Sequence, residues 1–200
     1  SCLVGVASCL LATETTEAQI TPGAVHEWIA DLDADGDSVW EDLGSQADHD
    51  WSLSGPRRVN VSSGYKIQTA YEFDGMDDEA SADGENRNGD HTSSFELWFR
   101  PLSQPAGGSP IFEHGNQPRG ISFGLVADQL QFVLTDGSDS VRLSHDLDVG
   151  DNGFDTDDFW QAVAVVDDSN DLLKLYVNGQ LRGTQALVGS NDFTSNDEWG

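Results

Sequence analysis

Cysteine, lysine and long apolar runs are all scarce in this sequence, and each scarcity closes off a class of protein. The two cysteines, Cys2 and Cys9, fall within the first ten residues, so they cannot cross-brace a domain that begins after them. No staple is needed, because a compact chain of 200 residues hides roughly 70% of its unfolded surface. No apolar stretch reaches the roughly 20 residues of a membrane-spanning helix. Nine basic residues, of which only Lys66 and Lys174 are lysines, face 36 acidic ones, for a formal charge of −27. That field repels phosphate and excludes nucleic acid as a partner. Two readings of the acidity stay open. It suits high-salt surroundings, where a Debye length of about 8 Å or less damps self-repulsion, or it is a plain solvated face.

The opening stretch from Cys2 to Ala12 reads CLVGVASCLLA, followed by the polar ATETTEAQ. An apolar run this short, followed by small residues for a peptidase at Thr16-Glu17-Ala18, is expected to be a signal peptide over residues 1–18, with a mature start near Gln19. It lacks a basic leader and an initiating Met, which implies a truncated start. Two alternatives remain: Val6-Ala7-Ser8-Cys9 as a lipobox with Cys9 acylated, or a short buried strand. Either targeting reading exports the protein.

Beyond about residue 20, helical periodicity is also scarce. Short aromatic and β-branched runs recur instead between Gly, Asp, Asn and Ser clusters. Strands are expected over Val59–Ser62, Lys66–Phe73, Ser94–Phe99, Ile111–Glu113, Ile121–Val126, Gln129–Thr135, Ser140–Ser144, Trp160–Asp167 and Leu172–Val177. Alternation in Phe95-Glu96-Leu97-Trp98-Phe99 and Leu173-Lys174-Leu175-Tyr176-Val177 turns one face of each toward a core. The Ala127-Asp128-Gln129 turn and Asn178-Gly179 are hairpin signals. The expected fold is all-β, a two-sheet antiparallel β-sandwich. It forms one domain over residues 20–200 that lacks a closing strand or two after Trp199-Gly200.

Five segments occur in a telling order: FELWFRP (Phe95 to Pro101), PIFEHG (Pro110 to Gly115), GISFGLVADQLQFVL (Gly120 to Leu134), FWQAVAVVDD (Phe159 to Asp168) and LKLYVNGQL (Leu173 to Leu181). This series resembles the laminin G-like domains of the concanavalin A-like lectin/glucanase superfamily. YEFDGMDD (Tyr71 to Asp78) resembles the family's first core strand, and EWIADLDADGDSVWEDLGSQ (Glu27 to Gln46) the acidic opening segment of bacterial members. The resemblance covers Trp28 to Gly200 and implies a jelly roll, a fold that hosts lectins, adhesins and glycosidases alike.

Among candidate sites the richest segment carries Asp31, Asp33, Asp35, Asp37 and Asp42. Each close carboxylate pair in it costs about 0.7 kcal/mol at ~6 Å even in water. Ca²⁺ would remove that repulsion, and Gly36 permits the turn that wraps ligands round an ion. The spacing mimics an EF-hand loop with Asp42 twelfth, but Ser38 replaces the apolar anchor and Asp42 the bidentate Glu. A Ca²⁺-stabilised loop and a hydrated acidic loop both remain open. Zn²⁺ would lack nitrogen and sulfur ligands here. Asp74-Gly75-Met76-Asp77-Asp78 and Asp151 to Asp158 are further acidic groups, read in the first instance as turn-forming aspartates.

An aromatic face suits the C–H face of a pyranose. Of the six tryptophans, Trp98 and Trp160 are expected in the core, whereas Trp28, Trp40 and Trp51 lie in polar surroundings and are the candidates for stacking a ligand. Glycosidases of this fold place two carboxylates about 5 Å apart on one strand. That motif is missing: Glu96 stands alone, and Glu79, Asp83 and Glu85 have the wrong spacing. The five histidines are scattered. The expectation is a non-catalytic, secreted or surface-exposed module that binds a glycan or an extracellular protein, with Ca²⁺ as a structural ion. A structural or adhesive spacer is the alternative, and a polysaccharide hydrolase or lyase the second. Oligomeric state and ligand identity are not legible. If the acidic loop holds Ca²⁺, the ion raises the melting temperature and Asp33→Ala with Asp35→Ala abolishes the rise; calorimetry with and without Ca²⁺ is the check.

Overall fold

Alternation of residue type becomes alternation of burial. Along Trp160–Asp167 the side chains of Ala162, Ala164 and Val166 are buried, and along Leu172–Val177 those of Leu173, Leu175 and Val177. The residues between them face away, as the two-residue period of a strand requires. The computed structural model describes residues 2–4, 27–30, 38–45, 49–62, 67–82, 92–102, 108–115, 119–137, 139–147 and 159–187. These form β1 (Cys2–Val4), β2 (Val39–Trp40), β3 (Trp51–Ser54), β4 (Arg57–Asn60), β5 (Thr69–Phe73), β6 (Glu79–Ser81), β7 (Ser93–Pro101), β8 (Gly108–His114), β9 (Arg119–Val126), β10 (Gln129–Asp136), β11 (Asp139–Asp146), β12 (Trp160–Asp167), β13 (Leu172–Val177) and β14 (Gln180–Ala186). A 3₁₀ turn at Asp168–Asn170 precedes β13. Every segment expected as a strand overlaps one; Trp160–Asp167 and Leu172–Val177 keep their bounds and the others shift at their ends. β1 falls in the stretch for which a short strand was one of three readings, and the strands that were not expected are β2, β3, β6 and β14, most of them too short or too polar to show a period.

The chain divides into two compact units. One comprises Ser1–Ala82, Leu97–Leu102 and Thr156–Phe159, and the other the remaining residues. In the first, β4, β5, β1 and the second half of β7 pair antiparallel in that order, and β2, β3 and β6 form a small antiparallel sheet. The backbone of Cys2–Val4, part of the stretch read as a leader, runs between Tyr71–Phe73 and Phe99–Pro101. The core of this unit is aromatic. Trp40 lies 4.8 Å from Tyr71 and 6.3 Å from Trp51, between ring centroids, and Trp51 lies 5.2 Å from Trp28. Ile67, Ala70, Trp98 and Phe159 form a second cluster, with Val59 and Val61 packed on it.

In the second unit, β8 to β11 form a four-stranded antiparallel meander, and β12, β13 and β14 form another. β11 lies against β14, and the Leu143 side chain rests on Gly183. The two layers of a β-sandwich thus share one apolar filling. Phe95, Phe112, Phe123 and Phe132 pack ring to ring, Phe95 stacked on Phe132 and Phe123 tilted against Phe132 with centroids 4.8 Å apart. Trp160, expected in the core, is half-buried. The β13–β14 hairpin turns at Asn178 and Gly179, both with positive φ, the two-residue solution that matches strand twist. Asn178 is also tied to Gln161 of β12 by two hydrogen bonds of 2.9 Å.

The β8–β9 turn tests this packing. A Cβ on Gly120 would sit 2.6 Å from the carbonyl oxygen of His114, a backbone atom that cannot swing aside, whereas one on Gly108 would meet only a Val126 methyl at 3.7 Å. Gly120→Ala is expected to cost about 1–3 kcal/mol, and Gly108→Ala under about 0.5 kcal/mol, read from urea unfolding midpoints.

Candidate functional site

The acidic loop is held by its flanks. Residues 31–37 lie outside the described residues, and with them Asp31, Asp33, Asp35 and Asp37. At one end the carbonyl of Ala30 accepts a hydrogen bond from Arg58 Nε at 2.9 Å. At the other, the carbonyl of Ser38 accepts one from Leu53 N at 2.7 Å. Asp42 is buried, and its Oδ1 accepts from the backbone N–H groups of Glu27 and Gly44, both at 2.9 Å. Its own N–H donates to Asp50 Oδ1 at 2.8 Å. That Asp42 oxygen therefore braces the chain on either side of this segment. The reason lies in its surroundings: buried amides need acceptors, and a neighbouring carboxylate supplies them.

Trp28, Trp40 and Trp51 require a correction, since the sequence reading left them exposed. Their exposures are 9%, 3% and 8%, so their faces are turned on one another and on Tyr71 rather than toward solvent. Trp28 Nε1 donates to the carbonyl of His49 at 2.8 Å. Polar neighbours in sequence suggest exposure, but pairing of β2 with β3 sets Trp40 opposite Trp51 and closes them into the core.

The same unit carries a constellation at its surface among residues that pass, in the sequence, for ordinary turn aspartates. The segment Asp74–Asp78 links β5 to β6. Asp74 Oδ1 accepts from Met76 N at 2.8 Å and from Asp77 N at 3.4 Å, and Asp78 Oδ2 accepts from Asp74 N at 2.6 Å. These bonds curl the loop so that Asp74, Asp77 and Asp78 each bring one carboxylate oxygen within 4.8 Å of the others. Asp78 lies over Gly55 in the β3–β4 turn, where any side chain would collide with it and where φ is +97°. Met76 projects from the tip, 84% exposed. Oxygens at such spacings fit round a Ca²⁺ ion, whose ligands lie about 2.3–2.6 Å from the metal. The set contains no imidazole or thiolate to favour zinc. A signal was present in the sequence, since Asp followed by Gly and two further acids is the pattern of an Asx turn.

Glu96 on β7 is half-buried and accepts a hydrogen bond from Gln161 Nε2 at 2.7 Å. The third acidic group, Asp151 to Asp158, lies outside the described residues.

If Asp42 is a brace, Asp42→Ala removes the acceptor of two amides and destabilises the protein by about 1–3 kcal/mol. The loss should be the same in EDTA as in Ca²⁺, measured by chemical unfolding; a loss confined to Ca²⁺ would restore Asp42 as a ligand.

A family profile described as the concanavalin A-like lectin/glucanases superfamily, Laminin_G_3, matches residues 74–199 and so begins at the first carboxylate of the β5–β6 loop. No curated protein matches in sequence. Among solved structures, the binding domain of botulinum neurotoxin serotype D is similar with a TM-score of 0.69 and 13% identity, over 88% of this chain and 42% of that one. The serotype G binding domain gives 0.64 and 12%, over 80% and 40%. The serotype D ligand-binding domain in complex with N-acetylneuraminic acid gives 0.65 and 14%, over 80% and 39%. The chain spans about two fifths of the length of these structures, and likeness at such identity speaks for the fold. The ordered strands, the two-layer antiparallel packing and the profile match agree: the chain belongs to the concanavalin A-like lectin/glucanase superfamily as a laminin G-like domain.

Proposed function

We propose that the protein is a non-catalytic, extracellular module that binds glycans, steadied by Ca²⁺ at its loops and carried as part of a larger secreted or surface protein. The observation that carries this reading is the gathering of Asp74, Asp77 and Asp78 on an exposed loop of a lectin-type sandwich. Neighbouring folds are binding domains, one of them solved with N-acetylneuraminic acid. Another belongs to botulinum neurotoxin type C, whose cell entry depends on interaction with two ganglioside molecules. Export rests on the leader reading of residues 1–18. Among the described residues no helix is long and apolar enough to cross a membrane.

A hydrolytic reading finds less support. A retaining pair needs two carboxyl groups about 5 Å apart with one kept protonated by its surroundings. Asp74 and Asp77 are exposed, and Asp74 and Asp78 already accept hydrogen bonds from the loop's own amides. Three carboxylate oxygens gathered on one exposed loop suit the holding of a cation.

Two measurements test the proposal. Ca²⁺ at a hundredfold excess over its Kd should stabilise the fold by about 2.7 kcal/mol, and Asp74→Asn with Asp77→Asn should remove the gain. Removal by Asp33→Ala with Asp35→Ala instead would move the ion to the first acidic loop. Glycan-array screening followed by calorimetry should show binding that weakens in EDTA. Silence across the array, or release of reducing ends from a polysaccharide, would overturn the binding reading.

A further inference from the structure

We propose that the sugar seat of this module lies on the outer face of β12, β13 and β14, where a polar row of Glu96, Gln161 and Asn178 runs beside an apolar row of Val163, Tyr176 and Leu181. Its ligand is a hydroxyl-bearing pyranose, alone or as one ring of an oligosaccharide. The inference rests on the glycan-binding reading above and gives that ligand a place apart from the β5–β6 loop.

Strand alternation defines the face. Ala162, Ala164 and Val166 of β12 and Leu173, Leu175 and Val177 of β13 are buried in the core, so Gln161, Val163 and Tyr176 between them stand on the opposite side, half-buried. In the sheet register Val163 faces Tyr176, and Tyr176 faces Leu181, which is 53% exposed. Strands about 4.7–4.9 Å apart make these three a continuous apolar strip. Beside it, Gln161 Nε2 donates to Glu96 Oε1 at 2.7 Å, and the Gln161 N–H donates to Asn178 Oδ1 at 2.9 Å.

Those two bonds fix which way each amide is turned. A backbone N–H calls for an oxygen, so Asn178 presents Nδ2 as a donor; a carboxylate calls for a donor, so Gln161 keeps Oε1 as an acceptor. Neither Nδ2 of Asn178 nor Oε1 of Gln161 has a hydrogen-bond partner among the described residues. The polar row therefore reads acceptor, acceptor, donor from Glu96 to Asn178, in side chains that the protein has already ordered, which lowers the cost of binding. A sugar hydroxyl both donates and accepts. Neighbouring hydroxyls of one ring can give their protons to Glu96 and Gln161 while a further ring oxygen takes the N–H of Asn178. The apolar row lies two residues along the strands, about 6.5 Å away. There the Tyr176 ring, flanked by Val163 and Leu181, suits the C–H groups of the same sugar.

The side-chain amides are themselves reporters. The full chain in Ca²⁺ would be titrated with lactose, cellobiose, maltose and laminaribiose and followed by NMR. At least one sugar should shift the NH₂ signals of Gln161 and Asn178 and leave the backbone amides of Asp74 to Asp78 in place. Asn178→Asp keeps the acceptor for the Gln161 N–H but turns the free donor into an acceptor, and Glu96→Gln removes the charged acceptor at constant shape. Each should weaken the responding sugar about tenfold, equivalent to about 1.4 kcal/mol. Tyr176→Ala should weaken it in the same range, whereas Tyr176→Phe, which keeps the ring, should not. Melting curves check that each variant is folded. Silence of both amides toward all four sugars, shifts gathered at Asp74 to Asp78, or full affinity in folded Asn178→Asp and Glu96→Gln each overturn the placement and leave glycan binding standing. If no glycan on the array binds, the glycan reading and this placement fall together.

Discussion

A chain with four acidic residues for every basic one must find partners for its carboxylates other than cations, and much of the described structure follows from that shortage. Asp42, Asp74 and Asp78 accept backbone N–H groups, and Glu96 takes the amide of Gln161. Ion pairs are kept for a few places. One is Asp136, which is buried and meets Arg119. Another is Asp167, whose carboxyl is held below its usual range first by the Lys174 ammonium and then by Asn170. Cohesion is left to uncharged groups: tryptophan against tryptophan and tyrosine in one unit, phenylalanine and alternating aliphatics in the other. Amide donors can replace cations here because a hydrogen bond to a charged acceptor is stronger than one between neutral groups.

The sandwich was legible because alternation is a local property that survives into the fold. Trp160–Asp167 and Leu172–Val177 are read from sequence with the bounds they have in the structure. What stayed hidden depended on distant partners. β14, QLRGTQA, is largely exposed and offers no apolar period, so only its hairpin partner defines it as a strand. Trp40 and Trp51 look exposed until β2 meets β3. The aspartates of the β5–β6 loop were visible as residues, but their convergence depends on hydrogen bonds between positions two to four apart and on the bare backbone of Gly55 beneath them.

Membership of the superfamily and the choice of ligand are separate matters, because the sandwich supplies a platform and the loops supply chemistry. The neurotoxin binding domains share the platform at 12–14% identity, too little to carry over any contact. The loop features described for this chain are its own: a curled acidic segment with Met76 at its tip, in a sequence short of arginine and lysine.

The anchoring of Ala30 to Arg58 and of Ser38 to Leu53 also matters for how such a domain can diversify. With Ala30 and Ser38 moored to β4 and β3, the span to be closed between them is fixed from outside, and the loop-closure entropy of a longer connection grows by only about 0.6 kcal/mol for each doubling. Ala30 and Ser38 thus act as fixed posts, and a change in the number of residues between them leaves the ends that β3 and β4 hold where they are.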